Sequence, residues 1–259
     1  MASSKAQGAA AYPMLQSPSF KDYIWGGDRL AREYGKRAAR LPIAESWELS
    51  CHPDGPSAIA NGPLAGMPLP EALARWPQMA GSRAGIDGPS GFPILVKLID
   101  AKEDLSLQVH PDDAYARARE GSFGKNEVWY VIDCEPGARL ALGLLQPVPP
   151  ELRQGAPSPR EELLARISDG SIISLTRFVE VQPGDCFCVR AGLLHAICAG
   201  ILIAEIQQNS NITYRVNDYG RLGADGKPRP MHIEQAADVI DAGLVATNAR
   251  DGQKARPVP

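Results

Sequence analysis

Histidine is scarce in this 259-residue chain: there are four, at positions 52, 110, 195 and 232, so an imidazole-based site must be drawn from a short list. Five cysteines form no Cys-x-x-Cys pair, which leaves no paired-thiol motif and points to a reducing compartment. Cys186 and Cys188 fall two apart in an apparent strand and read as small buried packing residues. No apolar run approaches the ~20 residues that a membrane span needs. Met1 to Met14 lacks the apolar core behind basic residues of a signal peptide, so the expected location is cytoplasmic. The net charge of −3 gives no basic footprint for nucleic acid. Repeats and heptads are also missing, which excludes solenoids and coiled coils.

Turn formers are plentiful, with 25 glycines and 23 prolines, and favour many short strands over a helix bundle. Strand patterns fall at Pro93 to Asp100, at Glu127 to Ile132, at Phe178 to Val181, at Asp185 to Val189 and at Gly200 to Gln207. Short helices are expected from Leu69 to Trp76, after the capping sequence Ser158-Pro159-Arg160-Glu161, and from Ile233 to about Ile240. The Pro/Gly-rich stretch from Gly137 to Gly155 reads as a long surface connection. Residues 1–20 are expected to form a flexible arm, 21–245 a single metal-bearing domain and 246–259 a flexible tail. The fold class expected is all-β with a few short helices, as a sandwich or barrel with helices outside.

Gln108 and His110 stand two apart in the alternating run Leu105 to Asp112, so both side chains leave one face of a strand. His195 follows a Gly-punctuated strand far downstream, and Glu127 opens another strand between them. An amide oxygen, two imidazoles and a carboxylate form a ligand set suited to a divalent metal. Lys125, two residues before Glu127, can point a charge into the same mouth.

Gly184 to His195 resembles the second signature motif of cupins, with Arg190 where proline is common, and Gln108-x-His110 followed by Glu127 resembles the first. Longer stretches are similar to type I phosphomannose isomerases (mannose-6-phosphate isomerases). These are Ile24 to Gly27, Ala44 to Ser50, Phe92 to Asp112, Gly124 to Tyr130 and Glu205 to Tyr219. The resemblance runs from about Tyr23 to Ile240. It implies a cupin jelly-roll barrel with a partial second cupin-like half, and a metal-dependent aldose–ketose isomerase. That activity interconverts mannose 6-phosphate and fructose 6-phosphate by proton transfer through a cis-enediol. It further implies one Zn²⁺ per subunit on Gln108, His110, Glu127 and His195, a catalytic arginine at Arg215, and Ser106 and Lys125 holding the sugar phosphate. The partner implied is a small sugar phosphate, with neither membrane nor nucleic acid. Family members ordinarily continue past the position matching Ile240 with a β-rich segment. The resemblance therefore implies a second half short of strands, whose edges a second subunit in a homo-oligomer would cover.

Several residues carry blander readings. His52 and His232 read as hydrogen-bonded structural histidines, and Trp25, Trp47 and Trp129 as packing. Arg215 has Asp218 three residues on as an alternative partner, and Lys97 suits an internal ion pair as well as a site. Glu45, Glu48, Lys97, Asp218 and a metal-bound water are the acid–base candidates, and the sequence does not rank them. The rival function is a non-catalytic sugar-phosphate-binding cupin that keeps the metal pocket. A cupin dioxygenase or epimerase is a further alternative; the Lys125 and Arg215 charges, suited to an anionic substrate, argue against a neutral-substrate oxygenase.

Overall fold

The computed structural model describes residues 12–81, 92–223 and 225–250. Two sheets face one another. The six-stranded sheet runs in the order β10 (Cys186–Val189), β7 (Glu127–Cys134), β12 (Ile201–Gln208), β5 (Ile94–Ala101), β3 (Glu45–Leu49) and β2 (Ser19–Lys21). The five-stranded sheet runs β13 (Tyr214–Asn217), β6 (Leu107–Val109), β11 (His195–Ile197), β8 (Arg139–Leu144) and β9 (Thr176–Glu180). A two-stranded ribbon pairs β1 (Gln16–Ser17) with β4 (Ala58–Ile59). Every strand pair is antiparallel. The β-rich class is as expected, and the jelly-roll takes the form of two facing sheets. Among the described residues no named strand pairs across from one large sheet to the other.

The main core lies between these sheets. Ile99, Trp129, Val131, Phe187, Ile201 and Ile203 from one meet Leu140, Leu142 and Ile197 from the other. Period-two alternation supplies them: β7 buries Glu127, Trp129 and Val131 and exposes Val128 and Tyr130. A second core backs the five-stranded sheet with helices α4 (Pro159–Ser168) and α5 (Ile233–Val239). Leu163 and Ile167, one helical turn apart, bury the inner face of α4. On the outer side of the six-stranded sheet, Leu30 of α1 (Arg29–Arg32) meets Ile43 and Leu202. Helix α2 (Leu69–Arg75) packs Leu69 and Leu73 against Cys51.

Four local expectations change. The supposed surface connection after Gly137 contains β8, a strand with one neighbour on each side, in which Leu140 to Leu144 are all buried. It is apolar on both faces, so it shows no alternation. Gly143 in β8 has φ +90°, and a Cβ there would overlap the carbonyl oxygen of Leu244, so the chain near Val245 can lie directly against the strand. Cys186 and Cys188 point outward, half-buried and exposed, while Phe187 and Val189 fill the core. Ser158 makes no side-chain cap bond among the described residues, and Pro159 starts α4. An unexpected helix, α3 (Asp113–Glu120), is capped by Asp112, which accepts from the Tyr115 N–H at 2.8 Å, and ends at left-handed Gly121.

Of the expected flexible ends, residues 1–11 and 251–259 lie outside the described residues. The adjoining parts are tied down: β1 and β2 pair within sheets, and Asn248 Oδ1 accepts from the Cys186 N–H at 3.2 Å. No helix among the described residues is long and apolar enough to cross a membrane.

Candidate metal centre and substrate cavity

Two cross-strand rows build the site, one from each sheet. On the five-stranded sheet, His195 of β11 stands opposite Gln108 of β6, which stands opposite Arg215 of β13. His110 follows β6, on the same face as Gln108. On the six-stranded sheet the row is Trp129, Glu205, Lys97 and Trp47, contributed by β7, β12, β5 and β3 in turn. Glu127 lies two residues before Trp129 on the same face. The rows look at each other across a cavity of about 280 Å³, near the lower end of the ~300–1,000 Å³ typical of small-molecule sites.

The segment Gly124-Lys125-Asn126 delivers Glu127 by fixed backbone contacts. A Cβ at Gly124 would overlap the backbone of Asp112 and Asp113, so only glycine permits the approach to the start of α3. The Lys125 N–H then donates to the Pro111 carbonyl at 3.0 Å, and the Asn126 N–H to Gln208 Oε1 at 2.9 Å. Asn126 Oδ1 accepts from the Ala191 N–H at 2.9 Å, tying this turn to the one that precedes His195.

Ligand atoms of His110, Glu127 and His195 all lie within 4.8 Å of one another, and all three residues are buried. His195 Nε2 is 3.1 Å from His110 Nε2 and 3.5 Å from Gln108 Nε2, and His110 Nε2 is 3.3 Å from Glu127 Oε1. The Leu193 carbonyl, 2.8 Å from His195 Nδ1, fixes the proton on that nitrogen and leaves Nε2 as a lone pair facing the cluster. Neither carboxylate oxygen of Glu127 accepts a well-aligned hydrogen bond among the described residues, and His110 Nδ1 also has none. Lys125 Nζ does stand 2.9 Å from Glu127 Oε1 as an ion pair.

The electrostatics suit a cation. Burial, reinforced by Lys125, pushes His110 down to about 3, and burial also lowers His195, so both rings are neutral bases at pH 7. Burial alone would raise Glu127, but Lys125 and the two imidazoles hold it well below the usual carboxylate range. Two imidazole lone pairs and an ionised carboxylate crowded in a dry site fit a divalent metal. Gln108 carries its amide at the same point, and rotation about its last bond presents either heteroatom to the cluster.

Lys97 lies beyond Glu127, buried between Glu45 Oε2 at 3.5 Å and Glu205 Oε1 at 3.3 Å. The two tryptophans do more than pack. Trp47 Nε1 donates to Glu45 at 2.6 Å, and Trp129 Nε1 to Glu205 at 3.0 Å. Burial, with Glu127 nearby, raises Glu205 above the ordinary glutamate range. Burial would lower Lys97, but Glu45 and Glu205 more than reverse this.

Ser106, Gln108, Lys125 and Arg215 all line the cavity. Ser106 Oγ donates to Gln108 Oε1 at 3.3 Å. Arg215 does not pair with Asp218; its Nη1 donates to the Pro230 carbonyl at 2.7 Å, and its Nε is buried without a partner among the described residues. Asp218 instead holds Arg221 and Arg229. Of the acid–base candidates, Glu45 and Lys97 line the cavity, whereas Glu48 is drawn to Lys36 at 2.6 Å. Tyr23, Glu205, Asn211, Thr213 and Arg229 also line it and were not singled out by sequence. Glu205, Asn211 and Thr213 lay within a recognised motif but had no role attached. His52 and His232 are hydrogen-bonded histidines as expected, each accepting a backbone N–H at Nδ1, from Asp54 and Arg215 respectively.

Comparison with known proteins gives a consistent answer. Residues 14–135 match the family described as phosphomannose isomerase type I, catalytic domain. A probable mannose-6-phosphate isomerase from Bacillus subtilis is 43% identical over 230 residues, covering 88% of this chain and 68% of that protein. The mannose-6-phosphate isomerase of Streptococcus mutans is 40% identical over 236 residues, covering 91% and 70%. A solved structure, the mannose 6-phosphate isomerase from Bacillus subtilis, superposes with TM-score 0.81 at 40% identity, again covering 91% of this chain and 70% of that one.

Proposed function

This chain belongs to the type I phosphomannose isomerase family, and from that membership we propose that it interconverts mannose 6-phosphate and fructose 6-phosphate. The observation that carries the reading is the buried His110–Glu127–His195 cluster directly behind Gln108 and Lys125, which line a cavity shared with Lys97, Arg215 and Arg229. A metal donor set beside four cationic side chains suits an anionic sugar better than a neutral substrate.

In this reading a single zinc ion is held by Gln108, His110, Glu127 and His195. When bound it supplies Lewis acidity, polarising the sugar carbonyl and stabilising negative charge on the sugar oxygens as the proton leaves. The chain's own groups do the rest. Lys125 keeps Glu127 ionised, and the Leu193 carbonyl keeps the His195 lone pair directed inward. Arg215, permanently charged and next to Gln108, stabilises charge developing on O1 and O2 as the cis-enediol forms. Ser106 and Lys125 border the same end and bind substrate there. Glu205 is the cavity carboxyl whose raised pKa suits it to carry a proton between the two carbons. The work is that of a carbohydrate-metabolism enzyme in the cytoplasm.

The test is a coupled assay for fructose 6-phosphate formed from mannose 6-phosphate. We expect turnover that a chelator removes, that added Zn²⁺ restores, and that falls by at least 100-fold in Arg215→Ala. Tight sugar-phosphate binding without turnover by the metal-loaded protein would favour the binding-module reading instead.

A further inference from the structure

The segment that follows β13 brings a second arginine, Arg229, into the cavity lining. Its first turn is strained: Tyr219 has φ +55°, the only non-glycine residue with positive φ among the described residues. The Asn217 side chain holds that turn by accepting the Tyr219 N–H at 2.8 Å. The Gly223 N–H donates to the Lys227 carbonyl at 2.7 Å, and Leu222 bridges Pro228, so the chain returns as a closed loop. The return places Arg229 in the cavity lining and Pro230 on Arg215.

Asp218 sets the charge around Arg229. Mostly buried guanidinium groups converge on it from Arg221 at 2.7 Å and from Arg229, whose Nε donates at 2.7 Å and whose Nη2 makes a second, shorter contact. Arg221 also donates to the Asp104 carbonyl. A forked contact fixes the plane of the Arg229 guanidinium, and its Nη1 makes no hydrogen bond among the described residues. Three guanidinium groups against one carboxylate leave about two positive charges. Asp218 favours the charged form of Arg215, against burial and the neighbouring Arg229 and Arg221. A phosphate monoester carries about −1.5 to −2 at pH 7 and would balance them.

The position is also right. His195, Gln108 and Arg215 occupy three successive strands, so Arg215 lies about two strand spacings, roughly 10 Å, from His195. Arg229 lines the same cavity, is near enough for its charge to act on Arg215, and precedes Pro230, whose carbonyl accepts from Arg215 Nη1. Lys125, by contrast, is buried at the metal end with its charge engaged by Glu127.

We infer that Arg229, oriented by Asp218, receives the phosphate of the sugar, so that the substrate lies from the metal cluster past Arg215 to the folded-back loop. Asp218 is a positioning residue in this arrangement. The inference deepens the isomerase reading and rests on it for the identity of the sugar, but its test does not need turnover.

Sorbitol 6-phosphate, which has no carbonyl to isomerise, is titrated calorimetrically into the metal-loaded full chain, with sorbitol as the uncharged control. Arg229→Ala should weaken sorbitol 6-phosphate about 10- to 100-fold, Arg229→Lys should recover part of that loss, and sorbitol should be unaffected. Asp218→Asn should raise KM for mannose 6-phosphate more than it lowers kcat, because it misaligns a binding group and leaves the reacting end intact. An affinity within twofold of the parent in both Arg229 variants, with Lys125→Gln abolishing binding while retaining its metal, would overturn the inference and place the phosphate at Lys125. Loss of turnover in the parent with Arg229-dependent binding intact would overturn the isomerase reading and leave this one standing.

Discussion

Replacing Lys97 by Met removes one cation from between two buried carboxylates, and its effect on stability should depend on pH in a direction set by the geometry. Lys97 is 3% exposed, and Glu45 and Glu205 lie 3.5 and 3.3 Å from its Nζ. Methionine keeps much of the length and fills the space against Trp47, whose ring centroid is 5.0 Å from that Nζ. Both carboxylates keep an indole donor but lose their shared counter-charge. Breaking a buried pair this way costs about 3–5 kcal/mol, a large part of the ~5–15 kcal/mol that holds a domain together. Glu205 is already raised by burial and Glu127, and losing Lys97 raises it further. A group with a folded pKa above its unfolded value of ~4.3 keeps its stability below that value and loses it as pH rises through the folded pKa. The penalty should therefore be smallest near pH 5 and grow by up to about 1.4 kcal/mol per pH unit until the shifted carboxyl ionises. Urea unfolding of metal-free parent and variant from pH 5 to 8 measures it. A pH-independent loss, or one below 1 kcal/mol, would refute the claim that Lys97 neutralises these two groups.

Three other outcomes are expected. Burial holds His110 at about 3, against ~6.5 in an unfolded chain. The unfolded state therefore takes up the proton first, and metal-free protein should lose up to about 2 kcal/mol through this group between pH 7 and 5; an equal acid slope in His110→Gln would count against it. Cys188 is exposed, whereas burial pushes Cys51 up to about 11 and Cys198 up to about 12. A thiol reagent should label Cys188 first, and rapid labelling of Cys51 or Cys198 in folded protein would contradict the burial pattern. Asn248→Ala should cost about 1 kcal/mol by freeing the Cys186 N–H, with Zn²⁺ affinity by competitive chelation unchanged; a parallel fall in affinity would mean that this segment supports the metal centre.

The sequence was most readable where one face of a strand is wet. β7 and β12 alternate, and their limits came out within a residue or two. β8 was lost because Leu140 to Leu144 are buried on both sides, and a solid apolar run between Gly and Pro signals carries no period. α3 was lost for the opposite reason: Ala116 is its one buried residue, so it has no apolar stripe to detect, and only the Asp112 cap and Gly121 mark its ends. At β10 the period was visible but the face was not, since Phe187 and Val189 claim the core and turn both cysteines out. Gln108, His110, Glu127 and His195 stood out because each sits in a local motif with a fixed offset.

Glu205 had no such offset. In Ala204-Glu205-Ile206-Gln207 it could as well be the wet position of a half-buried strand, and the structure reverses that, burying Glu205 and Gln207 and exposing Ile206. What makes it a site residue is register: β12 places it between Lys97 of β5 and Trp129 of β7, more than 70 residues away in the chain. A one-residue slip of β12 would turn Glu205 outward and leave Lys97 buried without this partner. The register is therefore held by the same ion pairs that furnish the cavity. That coupling explains why the six-stranded half of the site could not be read from any single stretch, while the metal-ligand candidates could.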